Sequence, residues 1–189
     1  SHVGSGLICF IGGGANVASV DLDAGTATTA QSADGCSDAI ADDSGSGTLY
    51  QMSYRSFSVN IAGTTNLIPV SGNPLAEGTA IAVRQQPALT LAVDSVHHLA
   101  LVAFQTPPST PQFGNALGAL SDNNATSQLA VVDLTTGKQV STVSGFGFGN
   151  GLFGGEYNSS TERSIQLDPA TRTGWTYAPG VDEVQQFSY

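Results

Sequence analysis

Basic residues are scarce in this chain. Five Lys plus Arg stand against fifteen Asp plus Glu, a formal net charge of −10. Such a surface repels a phosphate backbone, and no basic stripe offsets it, so no nucleic-acid partner is expected. Anionic membrane surfaces are disfavoured for the same reason. No apolar run approaches the roughly 20 residues of a membrane-spanning helix, so no membrane insertion is expected either. The chain does not open on a charged segment followed by an apolar one; any secretory leader is expected to have been removed already. Helical periodicity is nearly missing, which excludes a bundle. Cysteine is limited to Cys9 and Cys36. In an extracellular setting this pair reads as a disulfide closing a loop of about 27 residues, worth roughly 3 kcal/mol; two buried thiols are the other reading.

What remains is a chain of 189 residues with 40% hydrophobic residues and 23 glycines, enough for one domain, 1–189, with a real core. Acidic, Lys-poor and rich in Ser, Thr and Gly, it has the composition of a secreted or cell-surface protein. Short apolar or β-branched runs recur between Gly, Asn, Asp, Pro and Ser. They are Gly6 to Ile11, Asn16 to Leu22, Leu49 to Tyr54, Ser56 to Ile61, Leu89 to Val93, Leu99 to Phe104, Gln128 to Leu134, Gln139 to Val143, Ser164 to Leu167, Gly174 to Tyr177 and Glu183 to Ser188. The fold class is all-β.

Two hairpin phrases repeat. Val-Asp-Leu, two further residues and Gly occur at Val20 to Gly25 and again at Val132 to Gly137. A second phrase places a strand, an Asp, a turn and a strand around Asp42 and Asp43, around Asp94 and around Asp168. A carboxylate at a strand end can accept turn N–H groups and fix the hairpin. Asp42 to Asp94 is 52 residues and Asp94 to Asp168 is 74; removing the 22-residue insertion Thr106 to Ser127 restores 52. Two linked hairpins of that length make a four-stranded unit the size of a propeller blade.

The phrase "LAVDSVHHLALVAF…QLAVVDLTTGKQVSTV" resembles blades of the secreted bacterial and archaeal β-propellers with repeats of about 40 residues, the lactonase-like and surface-layer propellers among them. The resemblance is clearest over Leu89 to Val143, fair over Leu7 to Ala30 and Ser164 to Tyr189, and poor between Asn60 and Gln86. It implies a β-propeller-type fold of three to four four-stranded blades. The chain begins at the second strand of one blade and ends in the third strand of another, so the first and last blades are expected to be incomplete. Completion by another chain or another copy is favoured over closure as a four-bladed ring.

No motif supplies chemistry. His97-His98 fall in the turn after Asp94; adjacent residues on a strand point to opposite faces, so they read as turn polars rather than a metal pair. His2 lies at the start of the chain. Asp21, Asp23, Asp42, Asp43, Asp94, Asp133 and Asp168 occupy turn positions and form no calcium loop. No catalytic, metal or cofactor residue is assigned. "GFGFGNGLFGG" (Gly145 to Gly155) lacks the Lys-Ser/Thr of a phosphate loop, and its Phe146, Phe148 and Phe153 read as an interface, together with the Pro-rich insertion. Asn124 and Asn158 head glycosylation sequons. Trp175, beside Tyr177, aligns with Leu99 and Leu101 and reads as core rather than a glycan platform. The expected function is a secreted, non-catalytic structural or binding module of an extracellular assembly. The alternative is a lactonase- or hydrolase-like enzyme with a metal in the axial channel.

Overall fold

The computed structural model describes residues 3–8, 16–21, 24–31, 39–54, 64–72, 75–84, 88–105, 127–146, 165–178 and 183–189. They form fifteen strands and, among the described residues, no helix. Sheet I holds β1 (Val3–Ile8), β2 (Asn16–Asp21) and β3 (Thr26–Gln31). Sheet II holds β4 (Ala39–Asp43), β5 (Thr48–Tyr54), β6 (Thr65–Ser71), β7 (Ala76–Glu77) and β8 (Ile81–Arg84), the last two both pairing with β6. Sheet III runs β9 (Ala88–Asp94), β10 (Leu99–Gln105), β11 (Ser127–Asp133) and β12 (Lys138–Phe146). Sheet IV runs β13 (Ile165–Asp168), β14 (Thr173–Ala178) and β15 (Glu183–Ser188). Every pairing is antiparallel between sequence neighbours except β6 with β8.

One local device builds five hairpins. Four residues after Asp21, Asp43, Asp94, Asp133 and Asp168 stands a residue with positive φ: Gly25, Gly47, His98, Gly137 and Arg172. The turn needs that left-handed residue to launch the return strand, and glycine takes it without a Cβ penalty. The carboxylates hold the turns as their sequence position implies. Asp94 Oδ1 accepts the N–H groups of Val96 (2.9 Å) and His97 (3.1 Å). Asp133 Oδ1 accepts those of Thr135 (2.8 Å) and Thr136 (3.2 Å), and Asp168 Oδ1 that of Ala170 (3.1 Å). The hydroxyl and N–H of Thr135 are foremost in drawing the exposed Asp133 carboxyl down to about 2. Gly47 has open space around a would-be Cβ. Gly47→Ala therefore isolates the backbone cost, and equilibrium urea unfolding should show a loss of about 1 kcal/mol.

Strands β4 and β13 both lie against β9, so the first strands of sheets II, III and IV sit side by side, in sequence order. Between II and III lies one core, with Tyr50, Met52 and Leu67 facing Leu91, Ala100, Val102, Phe104, Ala130, Val132 and Leu134. Between III and IV lies another, with Ala92, Leu99, Leu101, Ala103, Leu129 and Val131 facing Ile165 and Phe187. Sheet III is thus apolar on both faces, as a sheet covered on both sides must be.

Several expectations need correction. The poorly patterned region 60–86 contains β6, a central strand, despite Pro69. Pro cannot donate to a ladder. Here the strand outside β6 is broken into β7 and β8, and Pro69 lies opposite the gap, where its carbonyl accepts the Gly78 N–H (2.7 Å). Gly145 and Phe146 belong to β12 rather than to a loop, with Phe146 paired to Ser127, which itself opens β11. The first strand is Val3–Ile8, three residues earlier than read. The expected strand Ser56 to Ile61 lies outside the described residues, as do His2, Cys9, Asp23, Cys36, Asn124, Phe148, Asn158 and Phe153.

Candidate functional site

The densest polar grouping among the described residues is built by the turns after β4 and β9 together with Tyr189. The β4–β5 turn closes on backbone bonds from Ser46 and Gly47 N–H to the Asp43 carbonyl (3.1 and 2.9 Å). The Ser46 hydroxyl donates to Asp43 Oδ2 (2.7 Å). His98, at the left-handed position of the next turn, reaches across and donates from Nδ1 to the same Oδ2 (2.8 Å). An ionised carboxylate only accepts, which fixes Nδ1 as the protonated nitrogen. The Ser95 hydroxyl donates to the Asp42 carbonyl (3.3 Å). The turns touch so closely at Gly45 that a Cβ there would come within 2.3 Å of the Ser95 carbonyl oxygen. Backbone cannot yield as a side-chain tip can, so Gly45→Ala should part the two turns. The expected result is a melting temperature lowered by several degrees.

Asp94 is buried at 0% exposure. Its Oδ1 is taken by its own turn, and its Oδ2 accepts His97 Nδ1 (2.8 Å) and the Tyr189 hydroxyl (2.9 Å), which comes from sheet IV. Burial alone would raise the Asp94 carboxyl and is the largest single influence. The hydrogen bonds from His97, Tyr189 and Val96 together outweigh it and hold the group below the usual carboxylate range. Tyr189 moves the other way: burial, then the bond to Asp94 and its charge, push the phenol well above its ordinary value. Arg172 spreads its guanidinium over the Tyr189 ring at 5.6 Å. The Tyr189 N–H donates to the Arg172 carbonyl (3.1 Å), as Leu134 N–H does to the His98 carbonyl (2.9 Å) at the equivalent place in sheet III.

Each carboxylate therefore ties its own turn and takes a donor from the following sheet: Asp43 from His98, Asp94 from Tyr189. At the outer strands Arg84 does related work from sheet II. It donates to Gln128 (2.9 Å), Thr142 (3.0 Å) and Gln139 (3.2 Å) of sheet III and lies 5.2 Å from the Phe104 ring centroid.

His97 and His98 lie in the turn, as read, but they serve two different carboxylates in two sheets. Among the described residues no group of three or more His, Cys, Asp and Glu is arranged to hold a metal ion. Between the first strands of sheets II, III and IV opens a hollow of about 520 Å³, with Asp42, Ser44, Ser95 and Gln166 as its polar lining. Trp175 corrects the sequence reading: it aligns with Leu101 yet is 37% exposed. Tyr177 lies on β14 opposite Val184, and its side chain is outside what is described, as is that of Phe146. Arg84 and Tyr189 escaped the sequence reading; the only trace of Arg84 was its rarity among so few cations.

No family model matches the chain, and no curated protein matches it in sequence. Solved structures do resemble it in fold. Kuenenia stuttgartiensis hydrazine synthase aligns over 96% of this chain and 49% of its own, with a TM-score of 0.66 at 10% identity. Pyrococcus horikoshii acylaminoacyl peptidase, in an orthorhombic crystal form, aligns over 86% of this chain and 23% of its own, with a TM-score of 0.54 at 8% identity. The chain thus spans half or less of the length of these proteins. At such identity the likeness is one of fold: an all-β, propeller-like arrangement of antiparallel sheets.

Proposed function

We propose that the sheets are blades of a β-propeller-type ring and that the protein is a non-catalytic structural or binding module of an extracellular assembly, completed by another chain or copy. The carrying observation is the use made of the polar residues. Asp94 has both oxygens committed to structural donors, and the Asp43 oxygen that bonds holds Ser46 and His98. Asp94, saturated in this way, has no lone pair left for a substrate proton, whereas a general base must reach one; the other oxygen of Asp43, Oδ1, is buried without a hydrogen-bond partner among the described residues. The side-by-side first strands of sheets II to IV support a radial arrangement. Surplus negative charge with few lysines supports an extracellular setting.

A metal-dependent lactonase or hydrolase is the second reading, favoured by the hollow between the first strands. Asp42 is the one carboxylate among its described lining residues, fewer than a protein metal site needs. Elemental analysis of the purified protein, with a lactone and phosphoester hydrolysis screen, tests the two readings. The expected result is no turnover and no stoichiometric metal; one metal equivalent with turnover that a chelator abolishes overturns the proposal. Intact mass before and after reduction and deglycosylation tests the Cys9–Cys36 bridge and the use of Asn124 and Asn158.

A further inference from the structure

Strands β10 and β14 hold equivalent places in sheets III and IV, since Leu99 pairs with Asp94 and Asp133 as Thr173 pairs with Asp168 and Ser188. By that register the row Ala92–Leu101–Val131 of sheet III corresponds to the row Gln166–Trp175–Gln186 of sheet IV. The sheet III row is buried in the core shared with sheet IV, and is wholly apolar. Sheet IV turns Ile165 and Phe187 toward that core. Alternation along β13 and β15 therefore places Gln166 and Gln186 on the opposite face, with their cross-strand partner Trp175 between them. All three are exposed, Trp175 at 37%.

From this row we infer that the outer face of sheet IV binds neutral carbohydrate, with Trp175 as the stacking platform and the amides of Gln166 and Gln186 as its hydrogen-bonding flanks. The inference deepens the binding-module reading above and rests on it; the partner chain of that reading then completes strand edges and leaves this face open. A further sheet is the competing occupant, and the row argues against it. Sheets seal one another with apolar side chains, as Ala92, Leu101 and Val131 do. Laid over this row, such a cover would strand two amides away from water. A pyranose meets both demands. Its C–H face lies flat on an indole, and its rim of hydroxyls donates to and accepts from amides. Neighbouring strands lie about 4.8 Å apart, so both glutamines come within reach of one ring seated over Trp175. Equatorial hydroxyls radiate in the plane of that ring toward the two flanks, which selects gluco-configured sugars over galacto-configured ones. Glycans bearing carboxylate or sulfate are repelled by a net charge of −10.

Trp175 is the sole tryptophan, so its emission reports on the platform directly. Titration of the purified protein with cellohexaose or chitohexaose should move that emission saturably to shorter wavelength, with binding heat in calorimetry. A β-1,4-linked galactohexaose should bind at least about tenfold more weakly. W175A should abolish the heat, and the double variant Q166A/Q186A should weaken binding at least about tenfold, with circular dichroism and melting as in wild type because these side chains are exposed. Emission and heat that stay unchanged up to millimolar cellohexaose and chitohexaose overturn the inference, and so does binding that survives in W175A. An emission shift driven by protein concentration alone, in step with mass by light scattering, means that a second copy covers the face and overturns it as well. The titration reads binding and the hydrolysis screen reads turnover, so this inference and the non-catalytic reading fail separately.

Discussion

Asp94→Ala should lower the unfolding free energy by roughly 3 kcal/mol at neutral pH, because each buried donor left without a partner costs about 1–3 kcal/mol. The substitution strips partners from the Val96 and His97 N–H groups, the His97 ring and the Tyr189 hydroxyl at once. Asp168→Ala is the internal control: it removes one N–H acceptor and a Thr171 hydroxyl bond (2.8 Å) at an exposed turn, and should cost about 1 kcal/mol. Urea unfolding of both variants decides the matter. Equal losses would mean that the bond from sheet IV to the sheet III turn contributes nothing. The pH dependence has a definite sign. The Asp94 carboxyl is lowered in the folded state, so its contribution is complete above the ordinary carboxylate value of about 3.9 and is lost as pH falls below it. Tyr189 is raised, so its contribution is complete below the ordinary phenol value of about 10 and is lost as pH climbs beyond it. Wild type should lose stability at both extremes, and Asp94→Ala should flatten the acid limb.

Phe104→Ala should cost more, about 3–5 kcal/mol, from lost transfer energy and the cavity left behind. Phe104 is fully buried between sheets II and III, and its ring lies beneath the Arg84 guanidinium. Burial lowers the Arg84 pKa, a sign that this cation is only partly solvated and depends on its partners. Losing the ring would remove apolar volume and the face over which Arg84 is held. Val184→Ala, an equally apolar truncation at an exposed position, should stay within about 0.5 kcal/mol. Urea unfolding of the two variants gives the comparison; a Phe104→Ala loss below about 1 kcal/mol is incompatible with the described core.

Much of the local structure was legible because it is local. An Asp, three turn residues and a glycine specify a hairpin through bonds spanning two to four positions, and alternating apolar runs specify strands. That is why the hairpins around Asp43, Asp94, Asp133 and Asp168 stand where the sequence puts them. Strand β6 escaped because its permission to hold Pro69 lies in a break between two other strands, which no window around Pro69 displays. His98 and Arg172 escaped as left-handed residues because the same position is glycine in the other hairpins.

The sequence by itself determined an all-β chain, its repeated Asp-headed turns and a formal net charge of −10. All of these follow from short-range hydrogen bonding, side-chain alternation and summed charge. Only the tertiary structure decided that His98 serves Asp43, that Tyr189 serves Asp94, that Arg84 clamps the neighbouring sheet and that Trp175 stands at the surface. Those partners lie 20 to 95 residues apart or depend on whether a neighbouring sheet is present, and which sheets meet is a property of packing that no local pattern encodes.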